Sequence, residues 1–175
     1  MSGTEGHDRH QRIAFFIPSF RAGGAEHVMA AVASGLRKRG WKVDMVAAQA
    51  QGPIADRLDP NVDVVDLKTP RLRHALPGLI RYLRRNRPRV LVSTLSHANM
   101  LAVTARRLAR VDTAVLVRQA NPAHQDTWAL RSDPLHRALS LSQRVAYRMS
   151  DRVIAVSAGV AQDLSTTLRV PHERI

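Results

Sequence analysis

Short apolar runs alternate with segments of helical periodicity along the chain, and this alternation restricts the folds that the chain can adopt. The runs are dense in apolar residues instead of alternating with polar ones, which is typical of strands covered on both faces. We predict strands at Ile13–Ile17, Lys42–Ala47, Val62–Leu67, Val90–Thr94, Thr113–Arg118 and Arg152–Val156. The strand–helix–strand order predicts an α/β fold with a doubly wound parallel sheet and right-handed crossovers.

Helical segments lie between these strands. The apolar residues that recur at helical spacing, and are therefore expected to face the sheet, are Ala25, Val28, Met29, Val32 and Leu36 in a first helix, Leu76, Leu79, Ile80 and Leu83 in Leu76–Asn86, and Leu135, Leu139, Val145 and Met149 in Asp133–Met149. Further helices are predicted at Met100–Ala109 and from about Gly159 to Leu168. Gly40 is expected to end the first helix, because glycine tolerates the conformation common at helix ends.

Chain length and composition indicate one domain. We assign residues 12–175 to this domain and residues 1–11 to a disordered polar tail. Cysteine is absent from the sequence, which excludes disulfide bonds and thiolate metal sites. The opening residues lack the apolar region of a secretion signal, and no apolar run approaches the roughly 20 residues of a membrane span. We therefore expect a cytoplasmic protein, either soluble or peripheral on a membrane face.

The charge of the chain favours anionic partners. Basic residues outnumber acidic ones by 27 to 14, giving a net charge of +13. Nucleic acid is not the expected partner, because aromatic residues make up only 4% of the chain and no helix-turn-helix or zinc-finger pattern occurs. Basic clusters at Arg37–Arg39, Arg84–Arg87 and Arg106–Arg110 fall at the ends of predicted helices, where cations complement the helix dipole.

The segment Arg71–Arg89 combines arginines with leucines. A basic amphipathic stretch of this kind can lie on an anionic membrane surface. The simpler interpretation is that its apolar residues pack against the sheet, and the sequence leaves both open.

Ligands of doubly wound sheets bind at the carboxyl ends of the strands, on the loops that follow them. We predict four such loops, at Pro18–Gly24, Ser96–Asn99, Gln119–Pro122 and Ser157–Gly159. In the first, Gly23 and Gly24 lead directly into a helix, so backbone amides could approach a phosphorylated ligand. The alternative is a tight turn in which glycine merely supplies a positive φ.

Several motifs, in this order and spacing, resemble the amino-terminal, acceptor-side domain of family 4 retaining glycosyltransferases of the GT-B fold. The similar segments are Ile17–Phe20 with Gly23–Val28, Leu36–Val43, Arg87–Val90 followed by His97, Asp151–Val160 and Val170–Ile175. Together they extend over about Arg12 to Ile175.

The resemblance implies transfer of a sugar from a nucleotide-sugar donor to a glycan or lipid-linked acceptor, in cell-surface polysaccharide or glycolipid biosynthesis. It implies retention of anomeric configuration and no metal or other cofactor, and the chain has no Asp-x-Asp pair. In this family the donor is held mainly by a carboxyl-terminal domain, which is absent from this chain. We therefore expect a half-enzyme that needs its missing domain or a partner subunit, with negligible transfer alone.

The resemblance also suggests roles for residues near the strand ends. His97 is the predicted catalytic residue, placed to position the donor sugar. Asn99 either contacts substrate or caps a helix beginning at Met100. Glu26 either binds a sugar hydroxyl or complements the dipole of its helix.

Three further candidates are predicted substrate-binding residues. Arg118 ends the fifth strand and could bind an anionic acceptor or be an ordinary surface arginine. Asn121 follows it in the next loop. Ser157 either caps the last helix or touches ligand.

Two other function classes make different demands on the sequence. A dinucleotide-dependent reductase would need a Gly-x-Gly-x-x-Gly turn and an acidic residue ending the second strand. The turn has only Gly23 and Gly24, and the second strand continues into Ala47-Ala48-Gln49, so this class is disfavoured. A non-catalytic nucleotide- or polyanion-binding α/β module remains the alternative.

Overall fold

The computed structural model describes residues 12–21, 23–122 and 134–175. The predicted tail at 1–11 and the predicted start of a helix at Asp133 lie outside these ranges.

A parallel sheet forms the centre of the domain. Its strands are β1 (Arg12–Ser19), β2 (Lys42–Gln49), β3 (Asp63–Asp66), β4 (Val90–Thr94), β5 (Ala114–Gln119) and β6 (Arg152–Ala155). They are arranged in the order β3-β2-β1-β4-β5-β6, and every neighbouring pair is parallel. The predicted strands and the predicted α/β class are confirmed, with boundaries that differ by at most two residues.

Helices connect the strands and cover both faces of the sheet. They are α1 (Gly24–Lys38), α2 (Leu76–Asn86), α3 (Ser96–Ala109), α4 (Pro134–Met149) and α5 (Ala158–Thr167). Short 3₁₀ turns occur at Ala55–Arg57, Leu72–Ala75 and His172–Arg174. None of the helices in the described ranges is long and apolar enough to cross a membrane.

The core consists of two apolar layers, one on each face of the sheet. In β1, Phe15 and Ile17 face the layer that includes α1, whereas Ala14 and Phe16 face the layer that includes α2, α3 and α4. All four side chains are buried. Burial on both faces explains why the strands have dense apolar runs without alternation.

Two of the predicted helix stripes are wrong in part. Val28, Val32 and Val145, which were expected to face the sheet, are exposed. In α1 the predicted Met29 is buried, together with Ala30 and Ala33, and in α4 the buried positions include Gln143, Ala146 and Tyr147. Alanine allows a helix to lie close to the sheet, and this rotates the larger valines outward. The stripe of α2 is confirmed, since Leu79 and Leu83 are buried.

The strand order changes direction at β1, and we call the space beyond the carboxyl ends of β1 and β4 the crevice. β1 lies between β2 and β4, so the chain leaves β1 toward one side and returns through β4 on the other. Such a reversal is where doubly wound domains bind ligands, at the carboxyl ends of the strands. Here the segments that follow β1 and β4 flank this position.

A buried ion pair stabilises the opposite, amino-terminal edge. Nη1 of Arg12 donates to the Asp44 carboxylate at 2.8 and 2.9 Å, and the Tyr82 hydroxyl donates to the same group at 2.5 Å. Burial and the neighbouring Asp44 raise the pKa of Tyr82. Burial lowers the pKa of Arg12, but the hydrogen bond to Asp44 and the attraction of the charges of Asp44 and its neighbours together outweigh burial, so the pKa is raised. These residues hold β1, β2 and α2 together, far from the crevice.

Candidate functional site

A single strained residue joins β4 to α3. Leu95 has a φ of 73° and a ψ of 133°, a left-handed conformation that is rare for bulky side chains. Such a residue costs about 1–3 kcal/mol, and strained residues of this kind cluster at active sites and ligand clamps. The strain lets α3 begin at Ser96, so the prediction of a loop at Ser96–Asn99 is wrong. No glycine or proline marks this turn in the sequence.

His97 lies in the first turn of α3 and is exposed. It lines a groove of about 370 Å³ together with Arg71, Leu72, Arg73, Met100 and Leu101. Apolar side chains and two guanidinium groups thus lie beside the imidazole. An imidazole can donate one hydrogen bond and accept another, while the guanidinium groups favour an anion.

Asn99 is fully buried beneath the crevice. Its side-chain oxygen accepts from the Ser93 hydroxyl at 2.7 Å, and its Nδ2 donates to the Arg118 carbonyl at 3.1 Å and to the Tyr147 hydroxyl at 2.7 Å. Because α3 begins at Ser96 and not at Met100, the prediction that Asn99 caps a helix starting at Met100 is wrong. The residue links α3 to β4, β5 and α4.

The hydrogen bonds continue from Tyr147 to the loop after β5. The Tyr147 hydroxyl donates to Oε1 of Gln119, and Nε2 of Gln119 donates to the Asn121 carbonyl at 2.8 Å. We call Ser93, Asn99, Tyr147 and Gln119 the buried polar chain. The sequence patterns did not identify Tyr147 and Gln119 as members of the buried polar chain. Local patterns do not determine which side of α4 and of β5 faces the core.

Arg118 and Asn121 lie at the carboxyl end of β5. Nη1 of Arg118 donates to the Thr94 hydroxyl at 3.3 Å, which holds the half-buried guanidinium near the end of β4. Asn121 is exposed, and its carbonyl is fixed by Gln119. The structure therefore brings Arg118, Asn99 and Asn121 into one hydrogen-bonded region.

Gly23 and Gly24 lie on the other side of the crevice, after β1. Gly23 has an extended backbone with a φ of −114°, so the alternative of a positive-φ turn is wrong. A Cβ at Gly23 would collide with the Glu26 carboxylate, whereas a Cβ at Gly24 would meet open space. Glycine at position 23 thus allows the Glu26 side chain to fold back. In the described part of the chain, no side chain caps the N-terminus of α1.

Ser157 caps α5. Its side-chain oxygen accepts from the Val160 backbone N–H at 3.3 Å, so the capping interpretation is confirmed. The predicted basic clusters are also found in or just beyond the last turns of α1, α2 and α3.

The sequence matches the family described as the glycosyl transferase 4-like domain over residues 23–175. The chain belongs to this family. Among curated protein sequences, none is similar enough to the chain to count as a relative.

Solved structures of GT-B glycosyltransferases share the fold of this glycosyl transferase 4-like domain. HepE from Anabaena, in complex with UDP-glucose, superposes with a TM-score of 0.70 at 16% identity, over 94% of this chain and 42% of that one. The lipopolysaccharide outer core galactosyltransferase WaaB gives 0.66 at 13% identity, over 94% and 44%. Sucrose-phosphate synthase from Thermosynechococcus elongatus gives 0.66 at 16% identity, over 89% and 44%. The chain thus spans less than half the length of these proteins.

Proposed function

We propose that this domain is the acceptor-side half of a retaining glycosyltransferase that transfers a sugar from a UDP-linked donor to a lipid-linked or glycan acceptor. The observation that carries the proposal is the crevice at the β1–β4 junction, flanked by the α1 N-terminus and His97, in a chain of this family. Assembly of cell-surface polysaccharide or glycolipid is the process in which such a transfer would serve.

The donor side of the proposal rests on the segment after β1. The open space at Gly24 lets a bulky ligand approach the backbone, and the uncapped amides of α1 favour a phosphate or another anion. HepE, which shares the fold, holds UDP-glucose. Because the chain spans 42% of HepE, we propose that a second lobe, in the same polypeptide or in a partner subunit, supplies most of the nucleotide contacts.

The acceptor side rests on the groove beside His97. Arg71 and Arg73 are suited to a phosphate, and Leu72, Met100 and Leu101 to an adjoining hydrocarbon chain. In this arrangement His97 hydrogen-bonds a sugar hydroxyl and orients the donor relative to the acceptor. We assign it no role as an essential base, and the proposed transfer uses no metal or other cofactor.

A transfer assay tests this function. Transfer of radiolabelled sugar from UDP-glucose, UDP-galactose and UDP-N-acetylglucosamine to membrane lipids is measured for the chain alone and for the chain joined to a donor-binding lobe of its family. We expect negligible transfer by the chain alone and measurable transfer by the joined protein. Robust turnover by the unaccompanied chain would contradict the half-enzyme proposal.

A matched histidine pair tests the role of His97 in the joined protein. His97→Ala is expected to lower kcat/KM by roughly tenfold to a hundredfold, the loss of one hydrogen bond that strengthens in the transition state. The control is His172→Ala, another exposed histidine, outside the crevice in the last 3₁₀ turn. Equal activities of the two variants would contradict the assignment. Donor binding without transfer to any acceptor would favour the non-catalytic alternative.

A further inference from the structure

An apolar groove runs between the outer faces of α3 and α4. It has a volume of about 470 Å³, and its lining includes Leu108, Leu141 and Val145. These three side chains are 50%, 60% and 47% exposed, respectively. Single exposed leucines are ordinary, but a continuous apolar groove on adjacent helices marks a surface that contacts something else.

A basic cleft of about 710 Å³ adjoins this groove at the amino-terminal edge of β5 and β6. The charged residues that line it are Arg106, Arg107, Arg148, Arg152, Arg174 and Asp151. Among the described residues of the cleft, Asp151 is the sole carboxylate, and it already accepts from the Val115 N–H at 2.7 Å and from Arg106 at 3.3 Å. The positive charge of the cleft is therefore largely uncompensated.

Arg106 adds an independent indication of an anionic ligand. Its Nε is buried and has no hydrogen-bond acceptor in the described ranges, although its Nη2 reaches Asp151. A buried donor left without an acceptor is uncommon in a folded domain and needs an explanation. Because this Nε is buried, a phosphate oxygen in the cleft would accept from it only after a shift of the Arg106 side chain.

The groove and the cleft form one surface, because Arg107 and Met149 line both. Helix α2 extends it, since Nη2 of Arg84 donates to the Leu108 carbonyl at 2.9 Å. The outer face of α2 carries Arg81 and Arg85 beside Arg84. A ligand on this surface would thus meet guanidinium groups directly beside hydrocarbon.

Charge complementarity selects among the occupants that such a surface could take. Arginines at helix ends complement helix dipoles, but that role does not account for the exposed leucines of the groove. A symmetric second copy would place the same arginine cluster against itself, which like charges disfavour. A nucleic acid would use the arginines and leave the groove empty. An anionic lipid offers both phosphate and hydrocarbon.

We propose that this surface docks the chain on an anionic phospholipid bilayer. The arginines of the cleft bind headgroup phosphates, while Leu108, Leu141 and Val145 enter the boundary between headgroups and acyl chains. The segment Arg71–Arg89 does not form such a surface by itself, because its Leu79 and Leu83 are buried in the core. The proposal is independent of the proposed function, because vesicle binding involves no sugar transfer.

Vesicle co-sedimentation at physiological ionic strength tests the docking. Vesicles contain phosphatidylcholine alone or with one third phosphatidylglycerol. We expect binding to the anionic vesicles that is at least about tenfold tighter than binding to the zwitterionic ones, and that weakens in high salt. Equal binding to both kinds of vesicle, or binding to neither, would overturn the proposal.

Matched variants distinguish this surface from general basicity. Leu108→Ser with Leu141→Ser, and separately Arg107→Glu with Arg148→Glu, are each expected to weaken vesicle binding by at least about tenfold. The controls make the same chemical changes on the side of the domain covered by α1 and should leave binding within about twofold of the parent chain. They are Val28→Ser with Val32→Ser, and Arg39→Glu with Arg57→Glu.

All the substituted side chains are exposed, so each variant should fold, which circular dichroism checks. Binding losses of the same size in the controls, or a groove variant that binds like the parent chain, would overturn the proposal. Sedimentation velocity adds a further test. A dimer that Leu141→Ser abolishes would assign the groove to a second copy and overturn docking on lipid.

Discussion

The fully buried Asn99 offers the sharpest test of how the candidate site is built. Its side chain makes hydrogen bonds with Ser93, the Arg118 carbonyl and Tyr147, at distances of 2.7 to 3.1 Å. Asn99→Ala removes all three and leaves buried polar groups on β4 and β5 without partners. Each buried hydrogen bond contributes about 1 kcal/mol, so we expect the variant to lose about 3 kcal/mol of unfolding free energy.

Urea unfolding followed by circular dichroism measures this loss, which corresponds to a Tm lower by roughly 6–12 °C in a domain of this size. Tyr147→Phe removes one hydroxyl from the same chain and should cost about 1–2 kcal/mol. Combined with Asn99→Ala, it should cost less than the sum of the two, since both remove the same hydrogen bond.

The matched control is Asn61→Ala, which removes the side chain of an exposed asparagine that donates to the nearby Asp59 carboxylate and leaves its backbone carbonyl, the acceptor from Arg37, in place. It should change stability by less than about 0.5 kcal/mol. If Asn99→Ala changed the stability as little as this control does, the buried polar chain would not hold the crevice together and the reasoning would be refuted.

Three further substitutions test separate features of the domain. Tyr82→Phe removes a phenol whose pKa is raised by burial and by Asp44. Above about pH 10 the unfolded chain releases the phenol proton, whereas the native state keeps it. As the pH rises through this range, the unfolding free energy of the parent protein should therefore fall more steeply than that of the variant, by up to about 1.4 kcal/mol per pH unit. Urea midpoints between about pH 9 and about pH 11 would show this, and equal slopes would contradict it. Gly24→Ala places a methyl group in open space at the start of α1, so it should stabilise the fold by about 0.5–1 kcal/mol in thermal unfolding while weakening donor binding in the complete enzyme. Arg110→Gly relieves a left-handed residue at the end of α3, with a φ of 54°, and should raise stability by about 0.5–1 kcal/mol; a lower Tm would show that the arginine contributes more than its strain costs.

The fold could be predicted because its main signals are local in sequence. A strand buried on both faces needs a dense apolar run, and the strand Val90–Thr94 lies where such a run predicts it. The helix Leu76–Asn86 likewise has the bounds that its helical periodicity predicts. The doubly wound order then follows from the alternation of elements. The position of the crevice follows in turn from the order of the strands.

The details of the candidate site could not be predicted, for two physical reasons. Leu95 takes a conformation that sequence patterns assign to glycine, so the predicted start of α3 at Met100 lies beyond its actual start at Ser96. The hydrogen bond between Asn99 and Tyr147 joins residues 48 positions apart, and no local pattern encodes such a pair.

The helix faces show a related limit. Val145 fits an apolar stripe at helical spacing, yet Ala146 and Tyr147 occupy the buried side of α4. Periodicity alone does not distinguish two adjacent stripes when both contain apolar residues. The choice is made by tertiary packing, and its result is the apolar groove on the outer surface.

The claim on which this account depends is that the segments after β1 and β4 form one ligand-binding edge. Amide chemical shifts of the ¹⁵N-labelled chain, recorded during titration with millimolar UDP-glucose at physiological salt, test it most directly. The account predicts weak binding, with shift changes concentrated at Gly23, Gly24 and His97. Changes confined to the amino-terminal edge, around Arg106 and Arg152, with none at these three residues, would contradict it.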